Sequence, residues 1–347
     1  MRRSTPRPLH LSMPQSLSRL AALGLALALA AGAALAGPAE RWRAEWPRTD
    51  FSRHAVDLGS IRSGGPPRDG IPALSDPRMI PAAEAAELSP REGVVTVAIA
   101  GERARAYPLR YLIWHEIVND RIGARPVAVT WCPLCNSAIV FDRRAAGREL
   151  SFGVTGKLRA SDMVMYDHET ESWWQQATGE AIVGTLTGTR LKRVVAWMES
   201  WESFRAAHPD GLVMARPAAS RPYGRNPYVG YDLSRFPFLY DGTPPPHGIP
   251  ALARVVAVDG RAWPLERLRK AGEIREAGLV LSWRPGLASP LERADIAAGR
   301  DIGQVRVRRA ADGADVPHDV MFAFAFHAFF PDGEWMLGPG ADGAASD

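Results

Sequence analysis

The chain contains two cysteines, and they stand together as Cys132-Pro133-Leu134-Cys135. Two thiols at this spacing serve three kinds of chemistry. A disulfide is one, favoured in an oxidising compartment, but so small a loop removes little entropy from the unfolded chain. A dithiol–disulfide redox pair is the second. A metal knuckle on a tight turn is the third, with thiolates suited to Zn(II) or Cu(I). A four-cysteine site within one chain is excluded, so any metal must draw on His, Met, Asp, Glu or water.

His115-Glu116 precedes the pair in a stretch that reads as a hairpin: Glu116–Ile122 out, a Gly123-Ala124-Arg125 turn, and Pro126–Trp131 back. The start of one hairpin strand faces the end of the other, which predicts that His115 lies beside Cys132 and Cys135. The expected ligand set is therefore Cys132, Cys135 and His115, with Glu116 nearby as a proton acceptor. The fourth position is either open or filled by Met165 or His168. The zinc deaminases use a related pattern, H-x-E followed by P-C-x-x-C. Here Glu116 directly adjoins His115 and Trp131 takes the proline position, so a deaminase is rejected.

A third cluster runs from Ser161 to His168. Strand alternation puts Asp162, Val164, Tyr166 and His168 on one face and Met163, Met165 and Asp167 on the other. Trp173-Trp174-Gln175-Gln176 follows, two large aromatics beside two amides. Together with the aromatic segment 223–240 it suggests a second reading: a binding module with a structural disulfide, holding a glycan, peptide or partner protein. Candidate ligand-binding residues are Asp162, Tyr166, Trp174, Gln175, Tyr223, Arg225 and Asn226. There is no G-x-S-x-G elbow, P-loop, H-E-x-x-H or dinucleotide fingerprint.

Short β-type runs bounded by Gly, Asp, Asn or Pro must position these residues. They lie at 94–100, 116–122, 127–131, 138–141, 150–154, 163–166, 193–198, 254–258, 279–283, 305–308 and 322–330. Helices are few and short. A piece is expected near Ala82–Leu88, and the clearest is Trp201–His208, with Ser200 as N-cap and Pro209 as the stop. The fold class expected is β-rich α+β, with antiparallel sheets in a sandwich or barrel-like arrangement. Residues 37–92 read as an irregular arm and 93–340 as a single domain. Residues 216–250 carry eight prolines and several aromatics, the composition of a loop packed on the body. Ala106-Tyr107-Pro108-Leu109 is echoed by Ala262-Trp263-Pro264-Leu265, each after a Val-rich run ending at a glycine turn. That echo predicts two related halves, about 93–215 and 251–340. Only the first carries the cysteines and the His-Glu pair.

The formal charge of +4 comes from residues 1–36, which hold four arginines and no acid. The remainder balances at 38 basic and 38 acidic residues, leaving no excess charge to drive phosphate binding, so nucleic acid is not expected as a partner. Residues 1–36 read as a secretory leader. Arginines precede an apolar Leu/Ala run, and Ala34-Leu35-Ala36 offers a cleavage site. The expectation is an exported protein, periplasmic or extracellular, with no stable membrane span in the mature chain.

The chain resembles the bacterial and archaeal family DUF3179, whose function is unknown. The resemblance rests on Asp69-Gly70-Ile71-Pro72-Ala73-Leu74, Ala106-Tyr107-Pro108-Leu109, the segment Ile113–Asp120, the segment Pro126–Cys135, and Asp162–Asp167. Gln175, Thr178-Gly179-Glu180-Ala181 and Tyr223-Gly224-Arg225-Asn226-Pro227-Tyr228 complete it. It implies that residues 69–335 form one unit with the His-Glu, Cys-Pro-Leu-Cys and Asn-Pro-Tyr segments as its motif. It implies no reaction. Two departures stand out: Asn136 where Gly would also be expected, and His168 where Arg is common.

Overall fold

The computed structural model describes residues 37–338. The expected leader lies outside the described residues. The chain divides into two units, residues 1–47 and 48–347. The described part of the first holds a short helix, Pro38–Trp42, opened by its proline at a position where no amide donor is needed.

The second unit is β-rich, with small sheets and few short helices. Its main strands and helices begin with β1 (Gly93–Val97), β2 (Arg105–Pro108), α1 (Leu109–His115), β3 (Ile117–Ile122), β4 (Arg125–Cys132) and β5 (Ser137–Asp142). Then come β6 (Phe152–Arg159), β7 (Asp162–Asp167), β8 (Trp173–Gln175), β9 (Glu180–Val183), β10 (Ala196–Ser200), α2 (Trp201–Ala207) and β11 (Leu212–Met214). The C-terminal part contributes β12 (Arg254–Val258), β13 (Arg261–Pro264), α3 (Leu265–Ala271), β14 (Glu273–Glu276), β15 (Leu279–Arg284) and β16 (Gln304–Arg309). It ends with β17 (Asp319–Phe322), α4 (Ala323–Phe329) and β18 (Glu334–Trp335).

Five main sheets form five blades in a propeller arrangement, where a sandwich or barrel was expected. Their orders include β6-β7-β8-β9, β5-β4-β3, β10-β1-β2-β11, β17-β12-β13-β18 and β14-β15-β16. The echo in the sequence corresponds to a recurrence of structure. The series β1-β2-α1-β3-β4-β5 is matched by β12-β13-α3-β14-β15-β16, and β10-α2-β11 is matched by β17-α4-β18. Pairing repeats as well. β10 lies antiparallel to β1 as β17 does to β12, and β11 lies parallel to β2 as β18 does to β13. The halves meet through β10 against β16 and β5 against β17. The β6–β9 blade occupies the span between β5 and β10, for which the second half has only a short connection between β16 and β17.

Burial explains why the strands read clearly. β1 (Gly-Val-Val-Thr-Val) and β5 are buried along their whole length, so they appear as continuous apolar runs, not as alternating ones. α2 begins where its cap requires: the Ser200 hydroxyl accepts the Ser203 amide. Ser200→Ala is expected to cost about 1 kcal/mol, measurable as a lower midpoint in urea unfolding.

Two expected elements differ. The run 322–330 splits, with a strand ending at Phe322 and helix α4 following. Its Phe-Ala alternation mimics a strand, but Ala323 to Phe326 are all fully buried, so the run has no polar positions to report a period. The helix near 82–88 shrinks to a 3-10 turn at Ala82–Glu84. The proline-rich segment 216–250 packs on the body as expected, with Tyr223, Tyr228, Tyr231 and Tyr240 against the central core. Its regular structure is one 3-10 turn, Tyr231–Leu233.

Candidate functional site

Two tight turns meet to build the site. The first joins β4 to β5, whose closing pair is Cys132 opposite Ser137. Pro133 supplies a preset φ, Asn136 takes φ 53°, and the Cys135 and Asn136 amides bond back to the Cys132 and Pro133 carbonyls. A left-handed position suits Gly or Asn, which accounts for Asn136 here. The second turn joins β6 to β7 through Ala160 (φ 48°) and Ser161 (φ 66°), flanked by the pair Arg159–Asp162. Two-residue hairpin turns need such angles, but Ala and Ser adopt them at a cost.

Both thiols converge on the Ser161 carbonyl, at 4.0 Å from Cys132 and 3.6 Å from Cys135. The two cysteines lie 3.9 Å apart and are free thiols in this structure. Ligand atoms of Cys132, Cys135 and Asp162 all fall within 4.8 Å of one another, and all three residues are buried. Asp162 Oδ2 accepts bonds from Gln175 Nε2 (2.6 Å) and the Ala177 amide (2.9 Å), while Oδ1 is buried without a hydrogen-bond partner. Gln175 is held in turn by Arg159, whose Nη1 donates to Oε1 at 3.3 Å.

Glu116 joins this cluster, and His115 does not. The β3–β4 hairpin forms as expected, with Ile117 opposite Thr130. At the end of α1, however, Glu116 adopts φ 58° and ψ −32°, turning consecutive side chains apart. The His115 ring points away from the thiols and is fully engaged. Nδ1 donates to the Pro72 carbonyl and Nε2 accepts from the Tyr223 hydroxyl, both at 2.7 Å, the tautomer being assigned from these partners. Burial lowers its pKa and keeps it neutral. His115 is thus held by Pro72 and Tyr223 and is not among the grouped ligand atoms of Cys132, Cys135 and Asp162. The matching cap in the second half is Gly272, with φ 73° and ψ −43°. One half thus uses glycine where the other holds a carboxylate in a strained conformation, and such strain persists where the side chain is needed.

Glu116 lies in the wall of a cavity of about 250 Å³ that also touches Ile71, Leu134, Leu158, Met163 and Tyr228. Among the described residues no donor hydrogen-bonds its carboxyl. Burial, with a further contribution from the Asp162 charge, pushes its pKa up to about 8, and burial raises Asp162 to about 6. Burial also raises both thiols, most strongly Cys135. Four acidic groups thus crowd one buried place, with Arg159 as a nearby cation acting on Asp162 and Lys157 lining the same cavity as Glu116.

A carboxyl whose folded pKa is raised binds its proton in the native state while the unfolded chain releases it. Stability of the metal-free protein must then fall as pH rises from about 4.5 to about 8. Glu116→Gln is expected to flatten that decline by up to about 1.4 kcal/mol per pH unit, read from denaturant unfolding across the window.

The remaining expected residues separate. Met165 is buried in the core on the face of β7 opposite Asp162, so it does not complete the cluster. His168 is outside it, with Nδ1 3.1 Å from the Ser151 hydroxyl. Tyr166 donates to Asp69 at 2.5 Å beneath the Arg68 guanidinium. Trp173 and Trp174 are fully buried, and Trp174 donates to Asp167 at 2.8 Å, so they are core residues and not a stacking platform. Asn226 serves structure: its side chain donates to the Arg293 carbonyl and accepts the Tyr228 amide, setting Tyr228 at the cavity. Arg225 is exposed and bridges Asp295 through its backbone. Tyr223 donates to His115, outside the cluster.

Ser161, Tyr228 and Tyr231 are site residues that the sequence reading missed. Tyr231 donates to the Leu134 carbonyl at 3.0 Å, tying segment 216–250 across the cysteine turn. Among the described residues no helix is long and apolar enough to cross a membrane. No curated protein and no solved structure matches the chain. The family model described as a protein of unknown function, DUF3179, matches residues 68–333, most of the chain including both turns and the cavity, and the chain belongs to that family.

Proposed function

We propose that Cys132, Cys135 and Asp162 bind one soft divalent metal ion, with zinc fitting best, and that Glu116 exchanges protons with a small molecule held in the adjoining cavity. The observation that carries this reading is the buried grouping of two thiols and a carboxylate within 4.8 Å. Two sulfurs bound at about 2.3 Å to a tetrahedral zinc stand about 3.8 Å apart, compatible with ligand atoms that lie within 4.8 Å of one another here. The mixed sulfur and oxygen set favours zinc over Cu(I), which prefers sulfur alone. A divalent cation would also offset the charge of the ionised thiols and carboxylate. Three protein ligands leave a fourth position open, as in catalytic zinc sites, where the metal makes a bound water acidic near neutral pH. Glu116, with its carboxyl unengaged in an apolar wall, has the environment of a general acid or base at that pH.

Metal analysis by mass spectrometry, together with a free-thiol count on anaerobically purified protein, tests the proposal. About one zinc per chain is the expected result. Metal-free protein that takes up no zinc on titration, with both thiols oxidised, would overturn it in favour of a dithiol–disulfide pair.

A further inference from the structure

The exposed large hydrophobic side chains among the described residues all fall within ten residues. They are Val229 (59% exposed), Leu233 (63%), Phe236 (71%) and Phe238 (47%). They share a segment with four arginines, Arg216, Arg221, Arg225 and Arg235, none of which forms an ion pair among the described residues. The one acid within 216–240, Asp232, is buried against Arg254 and Arg300. Acids at the margins are Asp241, paired with Arg62, and Asp295, bridged to the Arg225 backbone. The exposed face of the segment is therefore apolar and cationic.

This face is held in place from beneath. Tyr231 bonds the Leu134 carbonyl, Asp232 accepts from Arg254 at 3.0 Å, and Asn226 bonds the Arg293 carbonyl. A firmly anchored segment that keeps two phenylalanines outward retains exposed apolar area that a simple surface loop would bury. Arg235 lies between Leu233 and Phe236, with its guanidinium 5.5 Å from the Phe236 ring centre. Aromatic tips beside arginines match the interfacial layer of an anionic bilayer, where rings enter the headgroup region and cations meet lipid phosphate.

We infer that residues 229–238, with Arg235 at their centre, form a docking surface for an anionic phospholipid bilayer. The alternative of a second copy of this chain is less well matched. The four side chains expose roughly 400 Å², about half of what each partner in a stable dimer buries. The inference does not depend on the metal reading, although Phe238 both belongs to the surface and lines the cavity beside Glu116.

The test uses the full chain with an environment-sensitive fluorophore on Val229→Cys, because both native thiols are buried and label poorly. Vesicles of mixed phosphatidylglycerol and phosphatidylcholine are compared with phosphatidylcholine alone. A blue shift is expected with the anionic vesicles, weakened by salt and several-fold smaller for Arg235→Gln. It should be abolished by Phe236→Ser with Phe238→Ser. A label on Ala311→Cys reports whether any shift is local to the segment, since binding elsewhere on the chain would leave the Val229 label silent. No shift at Val229, a shift indifferent to the phenylalanine changes, or a shift that grows with protein concentration in the absence of lipid would each overturn the inference. The last outcome would assign the face to self-association.

Discussion

Replacing both Cys132 and Cys135 with serine is expected to reduce zinc affinity by at least about three orders of magnitude, because two of three protein ligands are lost. A serine hydroxyl is not ionised near neutral pH and is a harder, weaker donor than thiolate. Asp162→Asn should cost less, since the amide oxygen still reaches the site but brings no charge. Competition against a chromophoric chelator measures each step. The metal-free variants should remain folded, because the thiols' bonds to the Ser161 carbonyl are long, at 3.6 and 4.0 Å, and a serine hydroxyl can take them over. Zinc should therefore raise the thermal midpoint of the wild-type protein and leave the double variant unmoved. Equal shifts in both would place the metal elsewhere.

Asp232→Ala is expected to destabilise the fold by about 3–5 kcal/mol, the cost of leaving a buried charge without its partner. The Arg254 guanidinium, with a side chain only 5% exposed, loses the carboxylate 3.0 Å away, and Ser289 loses an acceptor at 2.5 Å. Asp232→Ala combined with Arg254→Met should recover much of the loss, since both charges are then gone. Denaturant unfolding of the four proteins completes the cycle. Asp232 sits in the 3-10 turn that places Tyr231 over the cysteine turn. The single variant should therefore also weaken ligand retention in the cavity. Stability unchanged by the single substitution would show that neither Arg254 nor Arg300, both 3.0 Å from Asp232, depends on the carboxylate.

The sequence made the strands legible because each is short, apolar and bounded by turn residues. β12 coincides with its expected range, and the echo at Pro108 and Pro264 marked both helix starts. Sheet arrangement was not legible, because fully buried runs such as β5 do not tell which layer covers which face. The cysteine turn was found from composition alone. The residue grouped with the cysteines is Asp162 and not His115, because hairpin register gives proximity and not direction. A single residue with positive φ, Glu116, decides which of two neighbours faces the thiols. No composition rule signals that angle at a glutamate. Asp162 was singled out as a ligand-binding residue, yet its approach to the thiols depends on Ala160 and Ser161 taking angles usually left to Gly or Asn.

The recurrence of the β1–β11 plan in β12–β18 also bears on the order of assembly. β12 meets β17 by pairing residues such as Val256 and Val320, whereas β1 must find β10 by pairing Val95 with Met198. The longer closure encloses the whole β6–β9 blade, and non-local pairing of this kind slows folding. The C-terminal half is thus expected to be the quicker to close. The cysteine turn and Ser161 are only 26 residues apart along the chain, a shorter closure than either, so Asp162 is expected to reach the cysteines before both sheets close.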